Sequence, residues 1–314
     1  MTNKQEYRLD SVKAEIENVM KLDASFSAFI ANELKEIDAK LFDTKYAELE
    51  AFNLVSVDGR MSPGAEQYSY KMWDGRGVAQ ITSDYSTASP SNNVQVKEYI
   101  SKVVGIRNSY QISIQEMRAS QLAGVPLDTM EIEIARRTIA EGINKIALHG
   151  DTTANITGLF NNANVPSSVA ASTLAALSTD NAALALAAFV DQVKLQSKGV
   201  HKCNRLVLPE SIRLALSMRR MGTNNDTSVL EYFLKQRPGI EVIGSFELDT
   251  QGAGGVNRAL AYEFSPENAV MKLPVAFEVF PEEIRSTFVR REMHARCGGV
   301  VFYRPLSAVY LDGI

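Results

Sequence analysis

Histidine, cysteine and tryptophan are scarce in this chain, at 3, 2 and 1 among 314 residues. The first two scarcities close off metal and thiol chemistry. His149, His201 and His294 stand apart, and the nearest thing to a ligand pair, His201 with Cys203, has no second pair at zinc-site spacing. Cys203 and Cys297 form no CxxC motif and read as two buried thiols of a reducing compartment. No run approaches eighteen apolar residues, so no transmembrane helix is expected and no membrane partner. The opening MTNKQEYRLD has no apolar signal core. A basic surplus is missing too. Lys and Arg number 33 against 37 Asp and Glu, a net charge of -4, which argues against tight general binding to nucleic acid.

The usual catalytic signatures are also lacking: no GxSxG elbow, no HExxH and no P-loop. Gly252-Ala253-Gly254-Gly255 could cradle a phosphate, but it precedes a strand-like ALAYEF instead of following a strand and opening a helix. It reads as a loop tip. Glu131 and Glu133 do not share a helix face, and Glu282-Glu283 follows Pro281 as a solvated turn. The doublets Arg136-Arg137, Arg219-Arg220 and Arg290-Arg291 suit salt bridges or contacts between subunits. No catalytic, cofactor-binding or metal-binding residue is therefore assigned, and the chain is not expected to be an enzyme.

What is present is an order of elements. Residues 5–52 contain no Gly or Pro and keep a loose helical period through Val12, Ile16, Val19, Phe26, Ile30, Leu34, Ile37 and Leu41. They read as one or two amphipathic helices. YSYKMWDGRGVAQI looks like strands broken at Asp74-Gly75 and Gly77, and residues 83–93 like a polar loop. Residues 94–117 alternate like a strand pair with a turn near Arg107-Asn108. Both faces of this β-rich stretch are polar in many places, which suits a projecting hairpin better than a core sheet.

A long helix follows at residues 128–149, roughly 30 Å at 1.5 Å per residue. Asp128 stands where an N-cap belongs, with Glu131 at capping-box spacing. Met130, Ile134, Ile139, Ile143 and Ile146, with Ala135 and Ala147, make one broad apolar face, and His149-Gly150 closes the run. Glu133–Arg137 and Glu141–Lys145 are i,i+4 pairs. Thr179-Asp180 caps an Ala/Leu-rich helix ended by Gly199. Residues 180–265 then run helix, strand, helix, helix, strand, strand, a compact α/β order. The tail, 269–314, is largely strand-like.

This order resembles the major capsid proteins of tailed bacteriophages with the HK97-type shell fold, in particular the subgroup sharing features with encapsulins. LDTMEIEIARRTIAEGINKIALHGDTTANITGLFNN, residues 127–162, resembles that family's spine helix with its Ala-Arg-Arg core and Gly-Leu step. MHARCGGVVFYRPLSAVYLDGI, residues 293–314, is similar to its closing strands.

The resemblance implies an α+β fold. Residues 1–53 would be a helical N-terminal arm and 54–105 an extended β loop. Residues 106–179 and 266–314 would form a peripheral domain with spine helix 128–149, and 180–265 an axial domain. It implies self-assembly through hexamers and pentamers into an icosahedral shell around double-stranded DNA, touched weakly and without sequence preference. Portal, scaffold and decoration proteins are the further partners it allows. The location would be the virion, with assembly in the host cytoplasm. No obvious extra domain precedes the arm, so a separate scaffold or none is expected.

An encapsulin-type shell holding an enzyme cargo is the alternative, and the long N-terminal arm favours the viral reading over it. A soluble α/β enzyme with a site around Gly252–Arg258 is the third.

Overall fold

The computed structural model describes residues 48–77, 79, 81, 91–124, 127–222 and 225–314. The helices expected over residues 5–52 lie almost wholly outside these, as does most of the loop at 83–93.

A one-turn helix, α1 (Ala51–Leu54), leads into β1 (Ser56–Asp58). Among the described residues, strands β2 (Gln67–Arg76) and β3 (Asn93–Lys102) then pair only with each other, in an antiparallel ladder of ten residues. β4 (Val104–Ser113) follows without a hairpin turn. The expected turn at Arg107-Asn108 is incorrect. Both residues lie mid-strand, opposite His294 and Met293. The chain breaks at Val103, where β3 leaves for β2 and β4 joins the body. Nor is β2 broken at Asp74-Gly75: the ladder holds both in extended register with Gln95 and Val94. Glycine lowers strand propensity, but a continuous partner strand overrides it.

Helix α2 (Ile114–Ala123) opens with a capping box between Ser113 and Glu116. The long helix α3 spans Leu127–His149. Asp128 is inside its first turn and is not its N-cap. Its carboxylate is taken by tertiary partners, accepting from the Tyr110 hydroxyl and from Arg291 Nη1 at 3.3 Å. The expected apolar face is half right. Ala135, Ile139, Ile143 and Ala147 are buried, joined by Asn144 and Leu148, whereas Ile134 and Met130 are exposed. Arg137 reaches forward to Glu141 at 2.8 Å.

Beyond β5 (Ser167–Val169) come α4 (Thr179–Gln196), β6 (Arg205–Pro209), α5 (Glu210–Met218), β7 (Arg220–Gly222), β8 (Asn225–Ser228), α6 (Val229–Gln236) and β9 (Glu241–Ser245). The cap of α4 is Ser178, one residue before the expected Thr179. The chain ends through β10 (Arg258–Tyr262), β11 (Ala269–Lys272), β12 (Val275–Val279), β13 (Glu283–Arg285), β14 (Phe288–Cys297), β15 (Val300–Phe302) and β16 (Ala308–Asp312).

Two sheets organise the body. One runs β5-β16-β10-β6-β9. Its central strands are buried on both faces and divide two apolar cores. Val207, Leu260, Tyr262 and Tyr310 point to the side of α3, while Leu206, Leu208, Ala259, Ala261 and Val309 point to the side of α4 and α6. Period-two alternation thus serves two cores at once. The other sheet centres on β14, which pairs along its whole length with β4 on one side and with β12 and β13 on the other. A smaller sheet, β1-β11-β15, joins the first strand to the tail.

Residues 50–58 are pinned to this body. Ala51 N donates to Asn144 Oδ1 (2.9 Å), which satisfies the amide oxygen of the buried Asn144, and Tyr262 Oη donates to Leu54 O (2.6 Å). The Ser245 hydroxyl donates to the Glu50 carboxylate.

Candidate assembly surfaces

The β2–β3 ribbon carries its side chains on two unlike faces. Tyr68, Tyr70, Tyr99 and Met72 share one face, whose base packs on the body. Tyr70 stacks on Tyr99 (5.2 Å between centroids) and meets the edge of Tyr303 (5.0 Å). The other face pairs Ser69 with Ile100, Lys71 with Glu98, Trp73 with Val96 and Gly75 with Val94. Opposite charges at Lys71–Glu98 help fix the register.

The apolar members of this second face are open to solvent: Trp73 is 78% exposed, Ile100 66%, Val94 58% and Val96 54%. Val94, Val96 and Trp73 adjoin, with Ile100 beyond the Lys71–Glu98 pair. A two-stranded ribbon is marginal by itself, and apolar side chains gathered in this way mark a surface made to be covered. Complete burial of side chains of this kind is worth about 1.5–3 kcal/mol each.

The C-terminal end of α3 is closed by the chain folding back on it. Gly150 N donates to Ile146 O, Leu159 N to Ala147 O (2.8 Å), and Phe160 N to Leu148 O (2.9 Å). The Asn161 side-chain amide takes His149 O. Four carbonyls that a helix end leaves open are thereby satisfied. Gly150, at φ +72°, allows the reversal, and Gly158 lets the returning backbone approach. This is the physical content of the Gly-Leu-Phe step seen in the sequence.

The glycine loop is a held turn. Gly252 N donates to Val256 O (2.7 Å) and Ala253 N to Asp312 Oδ2 (3.2 Å). Asp312 also accepts a two-pronged contact from Arg258, Nε to Oδ1 at 2.6 Å and Nη2 to Oδ2 at 2.9 Å. Arg258 Nη1 donates to Phe160 O (2.7 Å), and the guanidinium lies over the Tyr310 ring at 4.7 Å. Burial pushes the Asp312 carboxyl up, but Arg258 and the Ala253 N–H outweigh it and hold it below its ordinary value. The pair is nearly closed to water, with 12% and 4% of the side chains exposed. Sequence reasoning missed Asp312. Only the antiparallel pairing of β10 with β16, Arg258 opposite Asp312, brings the two together.

The arginine doublets are mostly absorbed within the chain. Arg219 caps the carbonyls of Leu174 and Leu177, Arg220 pairs with Asp226 (3.2 Å) and Arg290 with Glu292 (2.8 Å). Arg291 bridges Asp128 and Glu282, tying the start of α3 to β14 and the turn before β13. Arg136 is exposed. Glu283 pairs with Arg285 (2.8 Å).

His201 and Cys203 do not converge on a common point. His201 Nδ1 bonds Glu263 Oε2 (2.6 Å), and Cys203 Sγ donates to Arg205 O (3.2 Å). Among the described residues no three His, Cys, Asp or Glu side chains are grouped to hold a metal. Cys203 is half-buried and Cys297 buried, and burial pushes their thiols up to about 12 and about 11. Both should therefore react slowly with a disulfide reagent at pH 8 and rapidly once the chain is unfolded. A fast equivalent in the native protein would contradict this packing.

The sequence of residues 77–314 matches the family model described as major capsid protein. No curated protein matches the chain. Among solved structures, the fold is similar to the capsid of Myoviridae phage XM1, at TM-score 0.80 and 18% identity over 90% of this chain and 98% of that one. It is also similar to the capsid of a native GTA particle, at 0.66 and 11% over 88% and 94%. A third likeness is to Mycobacterium phage Ogopogo, at 0.62 and 12% over 90% and 97%.

Proposed function

The chain belongs to the family of major capsid proteins, and from that premise we propose that its copies assemble through hexamers and pentamers into an icosahedral shell enclosing double-stranded DNA. It is a structural, shell-forming protein with an HK97-type α+β fold, and the family is not one of enzymes. A cargo-holding shell is not favoured, since the matching family is that of capsid proteins.

The observation that carries the proposal is the apolar face of the β2–β3 ribbon. It has no cover among the described residues, and a neighbouring copy laid beneath it would supply one. Ring-forming assembly needs such heterologous contacts, a patch on one copy meeting a different patch on the next. Many modest contacts repeated over a shell then add up.

In this reading residues 1–53 act as an arm, 54–105 as the extended loop, and 106–179 with 266–314 as the peripheral domain. Residues 180–265 form the axial domain, completed by β5 and β16 in its sheet. The held turn Gly252–Asn257 would sit near a symmetry axis. The net charge of -4 suits a wall that touches its DNA weakly. Portal, scaffold and decoration proteins would be the further partners, and the host cytoplasm the place of assembly.

Negative-stain electron microscopy of the purified protein, beside size-exclusion chromatography, tests this. Closed shells or five- and six-membered rings are expected, and a uniform small oligomer at all salt concentrations would overturn it. Trp73→Glu with Ile100→Glu is expected to abolish shells while leaving the far-ultraviolet circular dichroism unchanged. Normal shells from that variant would remove the ribbon from the interface.

A further inference from the structure

Among the described residues the longest edge strand of the body, β4, is open on one side. Ile114 N donates inward to Thr287 O, while Val103 N donates outward to Glu66 O. Alternation along the strand therefore turns the even-numbered backbone groups toward β14 and the odd-numbered ones, at Gly105, Arg107, Ser109 and Gln111, toward the outer edge. Among the described residues no backbone group pairs with the odd set between 105 and 111. The Ser109 N–H is met only by the Asn108 side chain (2.8 Å). The usual guards of an edge are sparse here. The strand VGIRNSYQIS has no proline and one charge, Arg107. An unguarded edge of this length is a template for another strand.

We propose that this edge pairs with the β4 edge of a second copy, antiparallel, about a two-fold axis of the shell. The inference rests on the shell reading, since an icosahedral shell contains two-fold axes and a two-fold contact must be self-complementary. Self-complementarity limits the register, and we take the one centred on Ser109. Facing residues must share a sheet face, so odd residues meet odd residues. Centring on Arg107 would oppose two like charges. Centring on Ser109 places Arg107 opposite Gln111 twice and leaves no like charges facing. Even-numbered residues, among them Ile106, Tyr110 and Ile112, then stay on the side of α3, and the two sheets join into one continuous sheet.

The register is tested by cysteine crosslinking of assembled particles. Facing residues of a hydrogen-bonded antiparallel pair have Cα atoms about 5.5 Å apart, within disulfide reach. Two copies of residue 107 would be about 14 Å apart, four residues along the strand and one strand across. Mild oxidation of Ser109→Cys shells should yield at least tenfold more disulfide dimer than Arg107→Cys shells. The Arg107→Cys/Gln111→Cys double variant should crosslink as well as Ser109→Cys.

Shells of Ser109→Cys without dimer, or equal dimer from Arg107→Cys, would overturn the pairing and leave the shell reading standing. Absence of shells from the unaltered protein would overturn the shell reading itself. Ser109→Pro covers the case in which cysteine variants fail to assemble. It removes only the outward N–H, so the subunit should fold as before and lose shell formation. Unaltered assembly of that variant would also overturn the proposal.

Discussion

Asp312→Ala is expected to destabilise the unassembled subunit by about 3–5 kcal/mol, the usual effect of removing one partner from a buried ion pair. The Arg258 guanidinium would keep its bonds to Phe160 O and its place over Tyr310 but would face an empty site instead of a carboxylate. The Gly252–Val256 turn would lose the acceptor of Ala253 N–H at the same time. Arg258→Met with Asp312→Leu should recover much of the loss, because two apolar side chains leave no charge stranded.

The pair also predicts a direction with pH. The Asp312 carboxyl is held below its ordinary value in the folded chain. Its contribution is therefore complete above the unfolded value of about 3.9 and is lost as pH falls through the lower folded value. Urea unfolding of unassembled subunits between pH 3 and pH 7 would show it. The unaltered chain should lose more stability on acidification than the Met/Leu double variant. Equal slopes for the two would mean that Asp312 is not held low.

Gly158→Ala should be among the most damaging single methyls in the described chain. A Cβ there would lie 2.4 Å from Leu148 O, 2.5 Å from Gly150 N and 2.6 Å from Leu148 C. All three are backbone atoms, so no side chain can rotate out of the way. The returning segment must lift from the end of α3, lengthening the Leu159–Ala147 and Phe160–Leu148 bonds together. A cost of about 3 kcal/mol or more is expected, at the upper end of overpacking effects.

Gly199→Ala is the control. Its φ is +87° with nothing within 4 Å of an added Cβ, so only the left-handed backbone penalty of about 1–2 kcal/mol applies. Thermal melting and soluble yield of the two variants would separate them. A Gly158→Ala protein that melts with, or above, Gly199→Ala would show that the turn can open cheaply.

The long helix and the α/β order of residues 180–265, apart from the short β7–β8 pair between its second and third helices, were legible because their signals are local. A 3.6-residue period, a closing Gly150 and the buried run at Arg205–Pro209 all act within a few residues. The ribbon was legible as a projection because polar residues on both faces cannot line a core. Its partners were not. Residues 94–117 read as one hairpin, and nothing local says that β3 pairs backward with β2 while β4 pairs with β14, about 180 residues on. Strand alternation records which face is wet. It does not record which strand lies alongside.

By itself the sequence determined the class: α+β, a long helix, no metal or nucleophile constellation, and enough local likeness to point to a shell protein. The tertiary structure decided where the strands pair and which apolar side chains remain uncovered. It also decided that Asp128 serves Tyr110 and Arg291 instead of capping its own helix, and that Arg258 finds Asp312. The physical reason is common to all of these. Hydrogen-bond partners, burial and charge pairing depend on distances between residues far apart in the chain, and those distances exist only once the two cores have closed on either side of the β6–β10–β16 wall.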